Sequence, residues 1–188
     1  DRAFEAQSWQ LYRDPDREPD AAAFWRAERR WRDQHADDPL ALQTDVISNR
    51  LDLEVRPASR YIEGSNTMTV RCVEDGVTAF RFWLHSALTI NYVEEDGAYA
   101  SWHRLDSATV EVDLGTTCDS GDEFVLMVDY EGSPVTTGLS SIVFEEQGGW
   151  PVVSTLSEPW FSYTWWPVKE DNRDKATFEL LMTVPSDL

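Results

Sequence analysis

Residues 158–167 read EPWFSYTWWP, and this stretch holds the side chains whose types and spacing best suit chemistry. Pro159 fixes its own φ and restricts the residue before it, so the Glu158 carboxylate opens a stiff segment. Five of the eight positions between Glu158 and Pro167 are aromatic (Trp160, Phe161, Tyr163, Trp165 and Trp166), in a chain that is 12% aromatic overall. A carboxylate held beside apolar rings binds an ammonium group well. The rings exclude water and strengthen the charge interaction, and Trp and Tyr faces add cation–π attraction. Glu158, Pro159, Trp160 and Tyr163 are therefore a candidate site for a cationic amine, with Phe161, Trp165 and Trp166 as pocket wall or interface. The alternative is that Glu158 sits on the surface and the tryptophans plug a core or a domain interface.

No complete catalytic set accompanies the stretch. The sequence contains no HExxH, no G-x-S-x-G, no P-loop and no dinucleotide fingerprint. His35, His85 and His103 have no ligand partner at helical spacing and read as surface or packing residues. Carboxylates are abundant, but on the turns of an acidic protein most are solvated, and no glycosidase pair stands out. The two cysteines, Cys72 and Cys118, match no metal motif. In an exported protein they would pair, and otherwise they are buried thiols; the spacing leaves both open. A net charge of -19 makes nucleic acid and anionic membrane surfaces poor partners. No apolar run is long enough to span a membrane. The chain starts at Asp1 without a Met or a signal peptide, which reads as a processed or trimmed polypeptide.

The elements that must position these residues are mostly strands. After a polar start, Asp20 is a plausible N-cap for an amphipathic helix. Phe24, Ala27, Trp31 and His35 fall on one side of it, with Arg26, Arg29, Arg30 and Asp33 around the rest, and DDP at 37–39 ends it. The helix needs something to pack on, whether an edge of its own domain or a partner. From residue 45 the period becomes two: Ile47, Leu51, Leu53 and Val55 alternate with Ser48, Arg50, Asp52 and Glu54. Ile62, Met68, Val70 and Cys72 face one way in the next strand, and Phe80, Phe82 and Leu84 in the one after. Nine or ten strands are expected, with Gly and Asp in the turns. The fold class is mainly β: an antiparallel saddle or sandwich-like domain with an N-terminal helical appendage.

The order of short motifs near the end of the chain resembles a known family. SEPWFSYTWWPVKEDNRDKATFELLMTVP is similar to the segment late in the N-terminal domain of zinc aminopeptidases of the aminopeptidase N type, which are gluzincins. There an E-P or Q-A pair is followed nine residues later by Pro, then an acidic patch, Lys-Ala-x-Phe and a strand ending in V-P. Here these are Glu158 and Pro159, Pro167, Glu170 with Asp171, then Lys175, Ala176 and Phe178, and finally Val184 and Pro185. The WWP form looks most like exported bacterial members. TDVISNRLDLEVRPASRYIEGSNTMTV resembles the family's opening strand pair and GDEFVLMVDYEG its later edge. The likeness covers residues 44–188 and leaves out 1–43. Tyr163 stands where the family often has Arg, and Val168 where it often has Cys.

The resemblance implies a β-saddle domain covering a catalytic domain, with Glu158 reaching the active site to hold the α-amine of a peptide substrate. It implies zinc in the parent enzyme and none in this chain, which lacks both HExxH and the G-x-M-E-N loop. Such a chain, read as one piece of a larger exported enzyme, should be inactive alone. Its partners would be the missing catalytic domain of the same polypeptide and a peptide substrate. The rival expectation is a non-catalytic β-sandwich binding module or scaffold subunit that uses a Trp-rich patch. As a scaffold it should expose a large apolar surface around 160–166.

Overall fold

Alternating apolar positions make strands, and the strands make two sheets and a hairpin. A computed structural model describes residues 38–136, 141–157, 160–171 and 173–186. Eleven strands follow in chain order: β1 (Thr44–Arg56), β2 (Tyr61–Cys72), β3 (Val77–Trp83), β4 (Leu88–Glu95), β5 (Ala98–Tyr99), β6 (Trp102–Arg104), β7 (Thr109–Cys118), β8 (Glu123–Gly132), β9 (Ile142–Gln147), β10 (Trp150–Thr155) and β11 (Thr177–Thr183). A six-stranded sheet has the order β11-β1-β2-β8-β4-β5, a three-stranded sheet the order β3-β7-β6, and β9 pairs with β10. Gly148 and Gly149 form the two-residue turn of that hairpin, both at positive φ (61° and 87°), as a turn matching the strands' twist requires.

The core lies between the two larger sheets. Leu51, Leu53, Met68, Val70, Leu126 and Val128 point inward from the large sheet and meet Phe80, Phe82, Val110 and Val112 of the small one. Phe80 and Phe124 cross edge-on at 5.8 Å, joining β3 to β8. A disulfide joins Cys72, at the end of β2, to Cys118, at the end of β7, and so ties one sheet to the other.

Three features depart from the strand pattern read in the sequence. The pairing of β1 with β2 shifts register between Val46 and Ser48. This bulge turns Val46 and Asn49 into the core and leaves Ile47, expected inward, only half-buried. Secondly, β11 lies parallel to β1, placing Leu180 beside Leu51 and Met182 beside Leu53. The chain returns to the start of β1 through residues 160–176 before entering β11, so the two strands run the same way. The remaining sheet pairs are antiparallel. Thirdly, Pro39–Leu42 form one helical turn (α1), capped by Asp38, whose Oδ1 accepts the Leu40 amide at 3.0 Å. Arg81 Nη1 donates to both Asp38 oxygens at 2.9 Å, and its Nε donates to Glu111 Oε2 at 2.7 Å. The amphipathic helix expected at 20–36 lies outside the described residues.

Candidate functional site

The aromatic stretch crosses the end of the core as a tight turn. Ser162–Thr164 form a single 3-10 turn, and the Thr164 hydroxyl donates to the Phe161 carbonyl at 2.7 Å. Phe161 enters this turn at φ 150°, a region that side chains other than glycine seldom occupy. The Glu170 carboxylate faces the turn from nine residues on. It accepts the Phe161 amide at 3.0 and 3.2 Å and the Tyr163 amide at 2.8 Å. Burial pushes the Glu170 carboxyl up to about 8, against the opposing pull of the Tyr163 and Ser162 backbone groups.

Two buried polar contacts fasten the segment to the large sheet. Asn66, fully buried in β2, donates from Nδ2 to the Pro167 carbonyl at 2.9 Å and to Asn49 Oδ1 at 3.0 Å. The Tyr130 hydroxyl donates to the Trp165 carbonyl at 3.1 Å, and burial holds that phenol well above its usual range. Lys169 is buried, pairs with Asp174 and donates to the Thr44 carbonyl. Asp174 in turn accepts the Val46 amide at 3.1 and 3.2 Å, at the bulge of β1. The register fault in β1 and the return of the chain to it are thus held by one ion pair.

Most of the aromatics fill this domain's own core. Phe161 is 4% exposed and Trp165 and Trp166 are each 9% exposed; the two tryptophans belong to the main cluster. Trp165 Nε1 donates to Ser157 Oγ at 2.9 Å. Tyr163 packs on a satellite cluster of Ala41, Trp83 and Ala108, with its ring 6.5 Å from Phe161 and 6.2 Å from His85. Burial pushes the Tyr163 phenol up to about 12, with Glu170 adding to the effect. Trp160 is half-buried. Glu158 and Pro159 lie outside the described residues. A recess of about 480 Å³ opens beside the turn, lined by Val46, Asn49, Trp166, Glu170, Asp174 and Phe178 among others.

This burial bears on the rival expectations. Trp165 and Trp166 present little ring surface to solvent, so they form no open stacking platform. The apolar surface foreseen around 160–166 occurs instead on and just after β11, where Phe178, Leu180, Met182 and Val184 are 45–54% exposed. By register with Asn49, Leu51 and Leu53, the Phe178, Leu180 and Met182 side chains share the core-facing side of the sheet, beyond the reach of the three-stranded sheet. Glu170 and Asp171, read as an acidic patch, part company. Glu170 is spent on backbone amides, while Asp171 pairs with Arg173, which holds its carboxyl below the usual range. The structural roles of Glu170, Lys169, Asp174 and Asn66 went unread in the sequence.

Among the described residues one trio has metal-ligand types close together: His103, Glu111 and Asp113 on the outer face of the small sheet. His103 and Asp113 are exposed, and Glu111 is already bonded to Arg81, whose positive charge opposes a second cation. These residues do not fit the zinc centre of a hydrolase, and no step is routed through them.

No protein-family model matches the chain, and no curated protein matches it in sequence. Solved structures do. A two-domain M1 zinc metallopeptidase bound to L-arginine superposes with a TM-score of 0.67 at 26% identity, over 77% of this chain and 33% of that one. The M1 zinc metallopeptidase of Deinococcus radiodurans with a Tyr-Ser-Ala substrate gives 0.66 at 25%, over 76% and 33%. The chain has the fold of an M1 metallopeptidase N-terminal domain. Leukotriene A4 hydrolase from Saccharomyces cerevisiae shares that fold at 19% identity, with a TM-score of 0.64 over 76% of this chain and 24% of that one. The chain spans about a third of the length of the M1 zinc metallopeptidases it resembles.

Proposed function

We propose that this chain is the N-terminal domain of a zinc-dependent aminopeptidase, spanning residues 44–188, with residues 1–43 as an appended segment. The parent removes N-terminal residues from peptides. Glu158 binds the substrate ammonium, and Pro159, Trp160 and Tyr163 shape the surroundings of that charge. Phe161, Trp165 and Trp166 back this wall from the core. The observation that carries the reading is the likeness to M1 zinc metallopeptidases, one of them two-domain and another with a Tyr-Ser-Ala substrate bound. The E-P spacing adds to it: in sequence Glu158 precedes Phe161, where a turn fixed by hydrogen bonds begins. The zinc and the catalytic base belong to the remainder of the parent polypeptide. The half-exposed stripe of β11 supports a missing partner domain, since apolar side chains on the core-facing side of a sheet call for cover. The Cys72–Cys118 bond supports export to an oxidising compartment.

Glu158→Ala in the parent enzyme tests the role of the carboxylate. Losing one charge-assisted contact to the amine removes about 2 kcal/mol of transition-state binding, or roughly thirtyfold in kcat/KM on free-amine peptides. Unchanged peptide kinetics would sink the assignment.

A further inference from the structure

Glu170 has no part in the function proposed above, yet its carboxylate is turned onto backbone amides. Carboxylates on a domain this acidic normally stay in water. This one is turned under the aromatic turn, and its oxygens meet the amides of Phe161 and Tyr163 at 2.8–3.2 Å. Those amides bracket the start of the 3-10 turn, and Phe161 is the residue held at φ 150°. A backbone in that region relaxes unless its surroundings over-determine it. The surroundings here are Glu170 on one side and, on the other, the Thr164 hydroxyl on the Phe161 carbonyl at 2.7 Å. The turn opens directly onto Trp160, which begins the described part of the candidate amine site.

We infer that Glu170 is a positioning residue: by accepting the Phe161 and Tyr163 amides it holds the strained turn that sets where Trp160 and Tyr163 stand at the amine site. The inference rests on the aminopeptidase reading for its consequence in catalysis, though not for its structural half. Glu170 itself touches no substrate. Its carboxyl is consumed by backbone groups, so it acts only through the turn. Lys169, its sequence neighbour, turns instead to Asp174 and the Thr44 carbonyl.

The structural half is tested on the 188-residue chain by amide hydrogen exchange. Glu170→Ala removes both acceptor oxygens. Glu170→Gln keeps the volume and one acceptor, and guards against a variant that fails to fold. Both should speed exchange at Phe161 and Tyr163 at least tenfold, the Gln variant at one amide or both, while Val70 and Leu126 in the sheet stay protected. Unchanged protection at both amides in both variants overturns the inference. The catalytic half is read in the parent enzyme. The Gln variant should raise KM for free-amine peptides severalfold with kcat nearly preserved, and Glu170→Asp, which keeps a carboxylate, should recover part of the loss. If Glu158→Ala raises KM and Glu170→Gln does not, Glu170 is merely structural and the inference falls. If neither variant moves KM, the amine-anchor reading fails and the catalytic half falls with it, while the exchange result still decides whether Glu170 holds the turn.

Discussion

Burial decides what Glu170 does with a proton. An unfolded glutamate titrates near 4.3, and in the fold burial pushes this one up to about 8. A carboxyl whose folded pKa lies above its unfolded value favours folding in its protonated form. Its stabilising contribution is complete below about pH 4, and it is lost as pH rises towards about 8. The difference in Tm between the native chain and Glu170→Gln should therefore shift against the native chain from pH 5 to pH 9. Glutamine does not titrate, so the subtraction cancels other groups nearby, including Asp174, which burial also pushes up, and Asp171. Tyr163, up at about 12, stays neutral throughout. Parallel pH profiles for the two proteins would show that the carboxyl ionises normally where it sits. None of this is written in the local sequence. Glu170 follows Lys169 in a run that reads as an ordinary solvated charge cluster, and only a turn nine residues earlier in the chain makes it a half-buried acceptor. The signal that singled out Glu158, a carboxylate before a proline and a run of rings, is by contrast entirely local.

Strands were legible in the same local way. Ile62, Met68, Val70 and Cys72 in β2, and Phe80, Phe82 and Leu84 in and just after β3, are all fully buried as their alternation predicts. The alternation failed at Ile47 because the bulge depends on Asp174 accepting the Val46 amide, a contact 128 residues away in sequence. Sheet order was no more readable, since the parallel β1–β11 pair depends on the path of the intervening turn. One position carries the tightness of the central pair. A Cβ added at Gly64 would stand 2.0 Å from the Asp52 carbonyl oxygen across β1 and β2, too close for any side chain. Gly64→Ala must therefore push the strands apart at the middle of the large sheet. Overpacking of this kind costs about 1–3 kcal/mol, which a urea denaturation midpoint would resolve. A midpoint equal to that of the native chain would mean that β1 and β2 part there without cost.

At the scale of the whole molecule, two features govern how the pieces hold together. The Cys72–Cys118 bond closes a loop of 46 residues between the sheets, and both cysteines are buried. Loop-closure entropy assigns such a link about 4 kcal/mol, so Cys72→Ala with Cys118→Ala should lower the denaturation midpoint sharply, as reduction should in the native chain. The second feature is the β11 edge. Phe178, Leu180 and Met182 continue the core-facing side of the large sheet past the reach of the small sheet, each about half exposed. If the remainder of an aminopeptidase covers this stripe, it behaves differently in the two contexts. In the 188-residue chain, Leu180→Gln with Met182→Gln should leave stability within about 1 kcal/mol, because exposed side chains contribute little to folding. It should also reduce self-association in sedimentation velocity, because an uncovered apolar edge pairs with its own copies. In the parent enzyme the same pair of changes should loosen the contact between domains and split one cooperative unfolding transition into two. A parent that still melts in one unshifted transition would show that β11 faces solvent there as well, and the stripe would then say nothing about a covering domain.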